Sequence, residues 1–248
     1  MTISEKKEKL LREKKPDLAS LIDLVEVLRS PEGCPWDREQ DHHSIRTDFI
    51  EETYEVVEAI DKEDGALLCE ELGDVLLQIV FHTQIEREKG VFTMDEVIAG
   101  IVKKMISRHP HVFGDVTVAN SAEVLDNWDK LKTAEKSRLT LRAALEAVPR
   151  QYPALIRAKK IAKKAEKAGV NLGTDEEKTA RLRTLADSLA GQDAAEREKT
   201  LTELVWTAVQ LAGPDADLEK DLGFTLERFI ERFPEDGQGD EKGKEKDL

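Results

Sequence analysis

Apolar residues recur along this chain at helical spacing, and that period predicts helix almost throughout. Leu18, Leu21, Ile22, Val25 and Leu28 mark one helix, stopped by Pro31 and Gly33. Phe49, Thr53, Val56, Val57 and Ile60 form the core-facing stripe of another, running from Ser44 to Ile60, and the polar stretch Asp61 to Gly65 reads as a turn. Residues 66–88 are apolar nearly all round, the pattern of a buried helix. Thr93 and Glu96 frame a capping box ahead of Val97, Ile98, Ile101, Val102 and Met105, and His109-Pro110 closes that helix. Pro110 to Val118 reads as loop with room for a short strand, and a further helix is expected from about Ser121 to Ser137. Beyond Leu139 the pattern predicts helices near 153–168, 175–190, 194–212 and 216–233, punctuated by Gly169, Gly213-Pro214 and Pro234. The expectation is an all-α protein with two helical domains, residues 1–136 and 139–234. The charged tail 235–248 carries almost no apolar content and is expected to be disordered.

Composition narrows the function classes. The chain has 248 residues, with 38 Lys+Arg against 52 Asp+Glu and a formal net charge of −14. An acidic balance argues against a general nucleic-acid binder, whose footprint is basic, although a local pocket can oppose the global sign. No apolar run approaches the length of a membrane span, and the charged N-terminus has no secretory apolar region. Cys34 and Cys69 lack metal-site spacing. The reading is a cytoplasmic protein with no membrane and no nucleic-acid partner.

The informative chemistry lies between Phe49 and Gln84. Glu51-Glu52-x-x-Glu55 precedes the turn, and Glu70-Glu71-x-x-Asp74 follows it. Residues three apart share a helix face. Facing residues in an antiparallel hairpin keep a constant index sum, which sets Glu55 opposite Glu71 and Glu52 opposite Asp74. Unpaired carboxylates at contact distance are costly. A divalent cation removes the cost, and oxygen donors suit Mg²⁺ or Mn²⁺. A solvated acidic face is the bland alternative. A di-iron bundle would want Glu-x-x-His pairs, which neither acidic pair supplies. Gly73, unfavourable mid-helix by about 1 kcal/mol against Ala, is expected to permit close helix approach.

These residues resemble the MazG family of nucleoside triphosphate pyrophosphohydrolases, whose signature is EExxE, a spacer and ExxD. The flanking runs Gly33 to His42, Arg108 to Asp115 and Asn127 to Lys132 resemble the family in the same order. The resemblance implies Mg²⁺-dependent hydrolysis of a nucleoside triphosphate to a monophosphate and pyrophosphate, in nucleotide-pool control or house-cleaning, with Mn²⁺ as a possible substitute. It places the metal on Glu52, Glu55, Glu71 and Asp74, and leaves water activation to Glu51 or Glu52. Lys103, Lys104 and Arg108 are candidates for the triphosphate, Trp128 for the base, and Lys130 or Lys132 for phosphate. Trp36 and Asp37 are expected to pack the loop they sit in, and His109 and His111 to be structural.

The second domain resembles the family's C-terminal domain through Tyr152 to Ile161. Ala180-Arg-Leu-Arg-Thr184 lies near the expected EExxE, and Thr200-Leu-Thr-Glu203 near the expected ExxD, with only Glu203 surviving. That domain is therefore expected to have lost its metal. Hairpins of this length seldom bury themselves alone, so a homodimer completing four-helix bundles is expected. The competing class is a non-catalytic helical interaction protein that binds nucleotide or metal without turnover.

Overall fold

A computed structural model describes residues 1–124, 127–128 and 140–233. Lys130, Lys132, most of the C-terminal half of the expected 121–137 helix and the tail 235–248 lie outside the described residues. The described residues are helices, turns and loops, with no strand among them. The chain divides into two compact units between residues 132 and 133.

The first unit contains α1 (Ile3–Arg12), α2 (Leu18–Arg29), α3 (Pro35–Glu39), α4 (Arg46–Asp61), α5 (Gly65–Glu88), α6 (Met94–Arg108) and α7 (Pro110–Phe113). Its centre is the α4–α5 hairpin, with α2 packed on α5 and α1 on α2. The core joins Val25 of α2, Ile45, Met94 and the C-terminal half of α5, through Val80, Phe81 and Ile85.

Local chemistry fixes the helix ends. The Asp64 carboxylate accepts from the N–H groups of Ala66 and Leu67 and opens α5. Thr93 and Glu96 make the expected capping box on α6. Glu63 sits in the hairpin turn at φ 54°, a conformation that usually selects glycine. Gly33 is required by close approach instead: a Cβ there would lie 2.2 Å from the carbonyl oxygens of Val27 and Leu28.

Arg29 ties the loop after α2 to α5. Its guanidinium gives two hydrogen bonds to Glu88, at 2.9 and 2.8 Å, and two more to the carbonyls of Asp37 and Gln40. It also lies 5.1 Å from the centre of the Phe81 ring.

The charged N-terminus forms α1, opened by a Thr2–Glu5 capping box. Four expectations are corrected. Residues 110–113 are a short helix, with no strand between there and Val118. The buried position of α4 is Ala59, whereas Thr53, Val57 and Ile60 are exposed. On α5 the N-terminal half also keeps Leu72 and Leu76 exposed, whereas α2 packs on α5 and buries Val80, Phe81 and Ile85. Finally, a Cβ at Gly73 would meet nothing within 4 Å, so close approach within this chain does not explain that glycine.

The second unit contains α8 (Leu141–Glu146), α9 (Ala154–Lys167), α10 (Asp175–Ser188), α11 (Ala194–Ala212) and α12 (Leu218–Ile230). Here α10 and α11 form the hairpin, and α9 packs against α8, α11 and α12.

Candidate metal centre

The α4–α5 hairpin brings Glu52, Glu55 and Glu71 together, with one carboxylate oxygen of each within 4.8 Å of the others. Glu71 is only 8% exposed, Glu52 is half-buried and Glu55 is open to solvent. Asp74 is half-buried one turn along α5 from Glu71, and its charge is felt at Glu52. Glu51 is exposed and outside the cluster.

The electrostatics are those of acids forced together. Burial, a hydrogen bond with Glu55 and the charges of Glu55, Glu70 and Asp74 raise the Glu71 carboxyl above the usual range. Burial, then the charges of Asp74 and Glu55 and a hydrogen bond with Glu55, do the same at Glu52. No cationic side chain is among the causes at either carboxyl. An all-oxygen donor set with excess negative charge fits a hard divalent cation such as Mg²⁺ or Mn²⁺.

The other sequence candidates are distributed differently. Lys103 and Lys104 are exposed on α6. Arg108 sits over the Trp128 ring at 5.6 Å, and His109 meets that ring edge-on at 4.9 Å. Trp128 is thus already packed on one side by the end of α6. His109 also bonds the Met105 carbonyl at 2.6 Å, in keeping with a structural part. Asp37 lends its carbonyl to Arg29, and Trp36 is exposed while its carbonyl accepts from Gln40.

Sequence reasoning did not single out His42 and His82. Their Nδ1 atoms are 2.7 Å apart and the rings stack, while His42 Nε2 lies 2.5 Å from Glu86 Oε1. Phe49 of α4 meets His82 edge-on. The available signal was that His82 continues the Glu71, Asp74, Gln78 line along α5.

A family model for the MazG nucleotide pyrophosphohydrolase domain matches residues 40–113, the stretch that carries all four acidic residues. A Thermotoga maritima nucleoside triphosphate pyrophosphohydrolase/pyrophosphatase MazG is 39% identical over 218 residues, covering 86% of this chain and 82% of its own. The Escherichia coli K12 nucleoside triphosphate pyrophosphohydrolase is 38% identical over 225 residues, covering 87% and 85%. The chain belongs to the MazG family. A Bacillus subtilis protein, YabN, is 48% identical over 158 residues, 64% of this chain, which spans only 32% of that protein's length. Among the described residues, no MazG helix here is long and apolar enough to cross a membrane.

Proposed function

We propose that this chain is a nucleoside triphosphate pyrophosphohydrolase that releases pyrophosphate and a nucleoside monophosphate with Mg²⁺, Mn²⁺ serving as substitute. The observation that carries the reading is the mutual proximity of Glu52, Glu55 and Glu71 on facing helices. The names of the Thermotoga and Escherichia relatives support the same activity.

Glu52, Glu55, Glu71 and Asp74 would hold the cation. Such a cation, when bound, neutralises phosphate oxygens and makes water more acidic. Glu52 or Glu51 would orient or deprotonate the attacking water; membership of the acidic cluster favours Glu52, since Glu51 is exposed and outside it. Lys103, Lys104 and Arg108 offer charge for the triphosphate, and Lys130 is a further phosphate candidate. Trp128 is the candidate to stack on the base. The reaction lies in the first unit, with the second serving as scaffold, and the setting is the cytoplasm, in nucleotide-pool control or house-cleaning.

The working form is a homodimer. Val57 and Ile60 of α4, Leu72 and Leu76 of α5, and Ile101 and Val102 of α6 are exposed on one chain. A second copy covering these faces would complete a four-helix arrangement over the acidic hairpin.

The test is pyrophosphate release from a panel of ribo- and deoxyribonucleoside triphosphates, with Mg²⁺ or with chelator. Metal-dependent release supports the reading. Binding of nucleotide without any release would favour a non-catalytic binding protein.

A further inference from the structure

The second hairpin repeats the first at a constant displacement. Helix α4 starts at Arg46 and α10 at Asp175; α5 starts at Gly65 and α11 at Ala194, a displacement of 129 residues in both cases. The helix caps follow: Asp64 opens α5, and Asp193 opens α11. Burial follows too, since Val80 and Val209 are both core residues, and Glu71 and Thr200 are 8% and 9% exposed. The same displacement sets Arg181 in the place of Glu52, Thr184 in that of Glu55, Thr200 in that of Glu71 and Glu203 in that of Asp74.

The chemistry at those four places is changed in a coordinated way. The guanidinium of Arg181 reaches across the hairpin to Glu203 at 3.0 Å. The Thr184 hydroxyl donates to the Ala180 carbonyl and the Thr200 hydroxyl to the Glu196 carbonyl, so both are turned to their own helices. One acid remains, and it faces a cation carried by the chain itself.

We propose that the α10–α11 hairpin is a duplicated copy of the metal hairpin in which Arg181 has taken the place of the divalent cation, so that the second unit closes without metal and binds none. The backbone register of the ancestral site is retained, and restoring acids at positions 181, 184 and 200 rebuilds it. This inference rests on reading the first hairpin as a metal site, and the test separates the two.

The test counts Mn²⁺ bound per full-length chain by titration calorimetry, with helical content followed by circular dichroism. Wild type is expected to bind Mn²⁺, and the Glu52→Gln/Glu55→Gln double variant to lose that binding. Adding Arg181→Glu, Thr184→Glu and Thr200→Glu to the double variant is expected to restore binding, with a further Glu203→Gln abolishing it again. A folded five-substitution variant that binds no Mn²⁺, while wild type does, overturns the inference and leaves the first site standing. Wild type that binds none overturns both. A second measurement holds even where the rebuilt variant fails to fold. Residual Mn²⁺ binding in the Glu52→Gln/Glu55→Gln variant that Glu203→Gln removes would show metal in the second hairpin as it stands, and would overturn the proposal; no residual binding supports it.

Discussion

Glu55 and Glu71 face each other across the α4–α5 hairpin, close enough to share a hydrogen bond, and the buried member, Glu71, resists ionisation. Acids in this relation oppose folding and favour cation binding at once. Glu55→Gln should therefore lower pyrophosphate release by more than about 100-fold, beyond the usual effect of losing an outer-shell partner. Its melting temperature in chelator should not fall, and should rise slightly as the like charge is removed. Calorimetry with and without Mg²⁺ checks both directions.

The N-terminal helix is held by charge. Lys6 pairs with Asp23 at 2.6 Å and with Glu26 at 2.8 Å, Lys9 pairs with Asp23 at 3.0 Å, and Arg87 of α5 bonds Glu26. Lys6 and Asp23 side chains are each 10% exposed. Lys6→Ala should cost about 2–3 kcal/mol, less than a fully isolated buried pair because Lys9 and Arg87 remain. Urea denaturation measures it.

That network also sets acid stability. Burial raises the carboxyls of Asp23 and Glu26, but hydrogen bonds from Lys6 with Lys9 or Arg87 outweigh it and hold both below 3.8 and 4.5. Groups with a depressed folded pKa stabilise above the unfolded pKa, and that stability is lost as pH falls through the folded value. Unfolding free energy should decline below about pH 4.5, and Lys6→Ala should flatten the decline.

His82 acts in a higher window. Burial, and then the charge of His42, lower its pKa from 6.5. The folded state thus favours neutral His82, and stability should fall as pH drops below 6.5 toward the folded value. A second proton on the His42–His82 pair would also break their 2.7 Å hydrogen bond. Replacing His82 with Phe should remove this part of the pH profile, measured by melting temperature between about pH 7 and 5.

The dimer reading makes its own prediction. Val102 is exposed on α6 with no role in the acidic cluster. Val102→Glu should shift the protein toward monomer in sedimentation velocity while leaving its helical spectrum unchanged.

Much of this was legible in the sequence because helical periodicity and hairpin register are local. Glu55 meets Glu71 as the constant index sum requires, and Asp64 and Thr93 cap as their types suggest. What escaped depended on partners distant in sequence. Helix α1 is mostly charged, and its packing against α2 rests on Lys6 meeting Asp23 and Glu26. The stripe of Val57 and Ile60 reads as core because it is apolar, yet among the described residues both side chains stay exposed. His42 and His82 lie forty residues apart, and only the fold stacks them.

The most direct test is pyrophosphate release with Mg²⁺ on wild type and Glu55→Gln, using the nucleoside triphosphate that wild type turns over fastest. The account predicts release that needs the metal and is lost in the variant while the helical fold persists. Release that survives in a folded Glu55→Gln protein would contradict the placement of the reaction in the α4–α5 hairpin.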